Sequence, residues 1–319
     1  MTFVHENAEF PDLLRIVSTH RRLGLGLVEK DYWVTHTLWA LHRCGFEIWF
    51  KGGTSLSKGF GLVERFSEDL DLKIESGRVQ LPDPGNWRSD GTRAIQQRRE
   101  YFNTLARAIR VPGANVTRDA ESSDAEQRSA NFRVAYPGLH LSDLAPPMRP
   151  YVLLEVGNAR VTPFVEREMT SFVHEYLGEI GQLDDFEDNR PRAVRCVHPL
   201  VTLLEKIDAL QRRVLRDDVE PAMFVRHYED AARIIAGAAE LPPLEGYENP
   251  RALAAEMHTQ RQIARLPGAE DDAFRVLENP RGVAIRRAHA AIAHMFWGAR
   301  VGIDDACERI RAWLSTELG

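Results

Sequence analysis

The stretch from Phe46 to Glu75, FEIWFKGGTSLSKGFGLVERFSEDLDLKIE, restricts the possible folds more than any other part of the chain. Ile48-Trp49-Phe50 is a short apolar run bounded by turn residues and reads as a buried strand. Gly52-Gly53 end that strand, and Thr54 or Ser55 is placed to cap a short helix that follows. Backbone N–H groups at such a helix start favour an anion, so a phosphate can be held there without side-chain charge. After a loop, Asp69-Leu70-Asp71-Leu72 alternates polar and apolar residues. In a strand this sends both carboxylates to one side while the leucines pack on the other. Neighbouring acids repel unless a cation lies between them. Hard oxygen donors suit Mg²⁺, which takes one or two protein carboxylates and completes its shell with water and phosphates.

Each piece alone has a plain explanation: a Gly-Gly-Thr is usually a turn, and an Asp-x-Asp usually a solvated strand face. Their order and separation, Gly53 to Asp69, are more specific. A phosphate cradle followed by a cation-holding strand is the logic of nucleotidyl transfer.

Lys51-Gly52-Gly53-Thr54-Ser55-Leu56-Ser57-Lys58, then Arg65-Phe66-Ser67-Glu68-Asp69-Leu70-Asp71-Leu72, resemble the AbiEii/AbiGii nucleotidyltransferase-like toxin family, part of the DNA polymerase β-like nucleotidyltransferase superfamily. The resemblance extends from about Glu29 to Asp230. It implies the toxin half of a bacterial toxin–antitoxin or abortive-infection pair, with a cognate antitoxin as partner. It also implies an NTP substrate and, as for some members, an RNA acceptor at the 3′ end of tRNA. Gly52, Gly53, Thr54, Ser55, Arg65 and Ser67 are the nucleotide-binding candidates within the matching motifs.

The chain has 319 residues, long enough for one large core or two moderate ones. Its 44% hydrophobic and 28% charged residues are those of an ordinary soluble globular protein. No apolar run approaches a membrane span, and the first residues do not begin a signal peptide. Cys44, Cys196 and Cys307 are far apart and make neither a disulfide nor a metal pattern, which suits a reducing cytoplasm. A net charge of −6 argues against non-specific coating of DNA. Lysine is confined to Lys30, Lys51, Lys58, Lys73 and Lys206, so each is a candidate for a role that the planar guanidinium cannot fill.

Residues 7 to 43 read as two helices; in the second, Glu29-Lys30-Asp31 is expected on the outer face of a helix packed on a sheet. Residues 93 to 110 read as an amphipathic helix. Asn115-Val116-Thr117 and Asn131 to Tyr136 read as an antiparallel strand pair, with a polar and mobile stretch from Asp119 to Ser129 between them. Pro150 to Val156 is another strand, a short helix covers Ser171 to Ile180, and Ala193 to Val197 is a strand. From His198-Pro199 the pattern turns helical: Leu200 to Arg213, then Pro221 to Ile235, then helices near 250 to 264 and 283 to 316. The expected fold is α/β: a nucleotidyltransferase domain with a mixed sheet over 1–197, followed by a mainly helical C-terminal domain over 198–319.

Glu155 is a single acid in an apolar strand, and burying it without a partner is costly. The superfamily resemblance gives such a strand the third cation-holding carboxylate, so Asp69, Asp71 and Glu155 form the expected metal set, for Mg²⁺ or alternatively Mn²⁺. By the same resemblance, Lys206 and Asp230 join Asp69 and Asp71 as catalytic residues, Lys206 as a point charge on the triphosphate. Asp230 would orient Lys206 or hold a nucleotide hydroxyl, and Arg226 is a further nucleotide-binding candidate. Arg286-Arg287 and Arg300 would offer either an RNA-binding surface or solvated helix faces. Two other functions fit the same motifs: nucleotidyl or phosphoryl transfer onto a protein hydroxyl, and non-catalytic nucleotide binding that regulates a partner.

Overall fold

The computed structural model spans residues 1–319 and describes all of them except Glu68, 120–123, 145–147 and 277–279. Part of the expected mobile stretch between Asp119 and Ser129 therefore lies outside the described residues. The chain divides into two compact units. The first comprises Met1–Gly59, Ser67–Val161 and Glu166–Cys196; the second comprises Phe60–Phe66, Thr162–Val165 and Val197–Gly319.

The first unit contains most of a mixed sheet. Its strands are β1 (Glu47–Lys51), β2 (Asp69–Glu75), β3 (Asn115–Asp119), β4 (Ser129–Ala135), β5 (Val152–Gly157), β6 (Phe164–Arg167) and β7 (Val194–Val197), in the order β3-β4-β5-β2-β1-β7-β6. β2 lies at the centre, antiparallel to β1 and parallel to β5. β3 and β4 form the expected antiparallel pair. Directly paired residues share a sheet face, so the register sorts the side chains. Phe132, Leu154, Leu70, Leu72, Phe50 and Cys196 fall on one face and are all buried. The other face carries Asn131, Glu155, Asp71 and Lys51 as a row of paired positions, with Asp69 beside it.

Helix α1 (Phe10–Arg21) packs on α2 (Leu25–Cys44), and α2 meets β1 and β5. The expectation that Glu29, Lys30 and Asp31 lie on the outer face of this helix is overturned. Their relative exposures are 1%, 0% and 4%. Each is tied to a polar group of another segment: Glu29 accepts from Leu139 N and His140 N at 2.8 Å, and Lys30 Nζ donates to Arg149 O at 2.5 Å. Asp31 pairs with Lys58 at 2.5 Å and accepts from Phe172 N at 2.9 Å. Buried charge is tolerated when paired and hydrogen-bonded, and periodicity alone does not reveal such partners.

The short α3 (Gly52–Thr54) and a π-helical turn (Ser55–Gly59) follow β1. Helix α4 (Thr92–Ala108) sets Phe102 against Phe132 of β4. Helix α5 (Phe172–Glu179) is capped by Ser171, whose Oγ accepts from His174 N.

The second unit is mainly helical. Helix α6 (Pro199–Arg213) starts with proline and the His198 cap, and buries Leu200, Leu203, Leu204, Ile207 and Leu210. The helix expected from Pro221 to Ile235 is shorter: Pro221–Met223 is a 3₁₀ turn, and α7 runs Arg226–Ala236. The expected 283–316 helix is also broken, into α9 (Gly282–Ala291) and α10 (Ile303–Trp313), after α8 (Pro250–Thr259). Phe60–Phe66 belongs to this unit, where Phe66 N donates to Met295 O at 2.8 Å.

Candidate active site

The glycine turn is shaped by one backbone angle and one carboxylate. Gly52 has φ +77°, a region costly for residues with a Cβ. A Cβ built there would overlap Oδ2 of Asp71, so the carboxylate rests directly on the turn. Thr54 and Ser55 do not cap the short helix, contrary to the sequence expectation; its cap position is Lys51, whose side chain does not cap the helix. The Thr54 hydroxyl lies 2.7 Å from Asp69 O and 3.0 Å from Ser67 O, and so ties the turn to the beginning of β2. Ser55 is 2% exposed beside the Cys196 thiol, and its Oγ has no nitrogen or oxygen partner among the described residues.

Asp69 and Asp71 are half-buried, and Leu70 and Leu72 between and after them are buried, as alternation requires. Glu155 of β5 stands directly opposite Asp71. Burial pushes its carboxyl up to about 7, helped by the charges of Asp71 and Asp69 and by a hydrogen bond with Asp71. The Arg149 guanidinium opposes that rise. Arg149 Nη1 also donates to Asp69 Oδ1 at 3.1 Å. These acids form an electrostatically linked cluster on one sheet face, although among the described residues no three such side chains are already arranged around a metal position.

The cluster's chemistry fits a divalent cation. Its donors are all carboxylate oxygens, and burial, reinforced by the charges of Asp71 and Asp69, raises the Glu155 carboxyl. Asp69, Asp71 and Glu155 are the residues that would hold such a cation.

In the second unit, Asp230 of α7 is the hub. Arg65 grips it in a fork, Nε to Oδ1 and Nη2 to Oδ2, both at 2.7 Å. Lys206 Nζ of α6 donates to Oδ2 at 2.7 Å. Burial alone would push the Asp230 acid up, but the charges and hydrogen bonds of Arg65 and Lys206 hold it well below the usual carboxylate range. Lys206 is itself pushed down by burial, against the pull of Asp230. The expected Lys206–Asp230 pairing is present; the bidentate Arg65 was not anticipated there, having been expected among nucleotide-binding residues. Arg65 is 2% exposed, and Nη1 also donates to Phe66 O at 3.0 Å.

Arg226, at the first residue of α7, makes no hydrogen bond or ion pair among the described residues, and its charge is felt at Lys206. The neighbouring His227 imidazole is driven down by burial and by Lys206, and its Nδ1 is buried without a partner among the described residues. Arg286 and Arg300 are engaged elsewhere: Arg286 with Asp304 at 3.1 Å, and Arg300 with the buried Glu229 at 2.8 Å.

Sequence reasoning missed Arg149 and the inward tethers of Glu29, Lys30 and Asp31. The scarcity of lysine was a signal for Lys30; nothing in the sequence distinguished Arg149 from the other arginines.

Carboxylates on neighbouring strands of a mixed α/β sheet, set against a glycine turn, are an arrangement that suits a nucleotidyl transferase. The sequence family agrees: residues 41–300 match the model described as Nucleotidyl transferase AbiEii toxin, Type IV TA system, and the chain belongs to that family. Among solved structures, it is similar to the crystal structure of JHP933 from Helicobacter pylori, with 12% sequence identity over 91% of this chain and 90% of that one and a TM-score of 0.43. No curated protein matches the sequence. The family makes the chain a nucleotidyltransferase enzyme and the toxin of a toxin–antitoxin pair, with an NTP as substrate and an antitoxin as partner. Among the described residues, no helix is long and apolar enough to cross a membrane.

Proposed function

We propose that the protein transfers a nucleoside monophosphate from an NTP to the 3′ end of an RNA, a tRNA being the expected acceptor, in a reaction dependent on Mg²⁺ or Mn²⁺. The observation that carries this reading is the contact of Asp71 with Gly52, which brings an acid cluster against an anion-favouring turn. In the reaction, the acceptor oxygen bonds to the α-phosphorus, the bond from that phosphorus to the bridging oxygen breaks, pyrophosphate leaves, and the hydroxyl proton passes to solvent.

Asp69, Asp71 and Glu155 would hold the cation. When bound, it would assist deprotonation of the acceptor hydroxyl and stabilise charge on the α-phosphate and the departing pyrophosphate. The backbone of Gly52 and Gly53 and the Thr54–Ser55 turn would take the β- and γ-phosphates, and the buried Ser55 hydroxyl supports this by offering a donor with no nitrogen or oxygen partner. Ser67 lies next to the cradle through its carbonyl, which faces Thr54.

Lys206 is the proposed point charge for the leaving phosphates, and Asp230 aims it. Arg65 is better placed to fix Asp230 than to reach a nucleotide, because its guanidinium is buried in that pair. Arg226 is the stronger candidate for direct phosphate contact, since no carboxylate among the described residues claims it. Catalysis then rests on positioning and electrostatics, with no covalent enzyme intermediate.

Incubating the protein with each labelled NTP, total RNA and total protein tests the reading. Label should enter RNA and should be lost with Asp69→Ala; label on protein would transfer the reaction to a protein hydroxyl. Retained nucleotide with no product would leave a regulatory binder.

A further inference from the structure

Arg149 precedes β5 and reaches a carboxylate of β2. Its guanidinium is 41% exposed, whereas the Asp69 side chain that it meets is 18% exposed. The main chain at Arg149 is anchored from inside: its carbonyl accepts from Lys30 Nζ, and Lys30 is fully buried in α2. Glu29, one residue earlier, holds Leu139 N and His140 N on the same approach to β5. A buried ammonium that donates to a backbone carbonyl helps to fix the position of that carbonyl.

We propose that Arg149 is an internal counter-ion for the acid cluster, held by the Lys30 anchor and exchanged at Asp69 Oδ1 for the divalent cation when that binds. This rests on the reading of Asp69, Asp71 and Glu155 as the cation-holding set. Two positive charges at one carboxylate oxygen repel, so the cation must displace the guanidinium or bind against it. The acids can therefore stay together without a metal, at the expense of affinity for one. A half-exposed guanidinium beside the cation has a fork geometry suited to nucleotide phosphate.

Titration of the full-length protein with Mn²⁺, followed by electron paramagnetic resonance without nucleotide, tests the exchange. Arg149→Gln should bind Mn²⁺ about fivefold more tightly than the unmodified protein, the size expected for removing one partly exposed ion-pair competitor. Arg149→Lys, which keeps a charge but loses the fork, should remain close to the unmodified protein. In chelator, Arg149→Gln should melt at a lower temperature, and added Mn²⁺ should narrow that gap. Equal or weaker Mn²⁺ binding by Arg149→Gln would overturn the inference. Asp69→Asn separates the two readings. If the unmodified protein and Asp69→Asn bind Mn²⁺ alike, the cation site itself is misplaced. If Asp69→Asn loses binding while Arg149→Gln leaves it unchanged, only the counter-ion role fails.

Discussion

Gly52 illustrates how one residue can join conformation to chemistry. Its positive φ is strained for any residue with a Cβ, by about 1–2 kcal/mol in the left-handed region. An added Cβ must also push away the Asp71 carboxylate. Gly52→Ala is therefore expected to lower the melting temperature modestly but to cost most of the transfer activity, because Asp71 leaves its position. Thermal denaturation and labelled-nucleotide transfer, measured on the same preparation, check this; full activity with a lower melting temperature would contradict it. Glu155 shows the opposite relation, a residue whose state depends on its neighbours. Its proton is retained up to about pH 7 by burial and by two nearby carboxylates.

At the scale of elements, α2 is an organising rod as well as core. Asp31 and Lys58 are 6% and 11% exposed at their side chains, so removing one leaves the other buried without its opposite charge. Asp31→Ala should destabilise the protein by roughly 3–5 kcal/mol, and Asp31→Leu combined with Lys58→Met should recover part of that. Urea unfolding of the single and double variants decides; equal losses would show that the pair does not act as a unit. The same helix carries His36, which shares Asn189 with Tyr32 and with His174 of α5. A consistent assignment has His36 Nδ1 accepting from Asn189 while Nε2 donates to Pro112 O, and His174 Nε2 donating to Asn189 Oδ1. Both imidazoles are neutral there, and burial lowers each from 6.5 to about 4. The unfolded chain thus takes up protons before the folded one. The stability they contribute is present above pH 6.5 and is lost as pH falls toward 4. The melting temperature should drop by several degrees between pH 7 and pH 5, and His174→Gln should flatten part of that slope. A melting temperature that rises on acidification would refute the assignment.

At the scale of the molecule, the second compact unit is not one continuous piece of chain. It takes in Phe60–Phe66 along with Val197–Gly319, and through Arg65 it completes the buried group around Asp230. Residues 198–319 expressed alone would retain Lys206 and Asp230 but lose the bidentate partner. That fragment is expected to give weak, non-cooperative unfolding by circular dichroism; a sharp transition would show that Arg65 is dispensable. Much of the plan was readable from the sequence. The strands around Gly52-Gly53 and Asp69-Leu70-Asp71, the β3–β4 pair and the change to helix at Pro199 all follow from local periodicity and turn chemistry, which depend only on neighbours in the chain. Helix ends after Pro221 and between α9 and α10 were misjudged, because packing decides where a run of weak signals stops. The inward charges of α2, the grip of Arg65 on Asp230 and the reach of Arg149 to Asp69 required the fold. Arg149 to Asp69, Glu29 to Leu139 and Arg65 to Asp230 each join residues 80 or more positions apart. A charged side chain has the same local signature whether it faces water or a distant partner; only the tertiary structure supplies the partner and so determines whether burial is affordable.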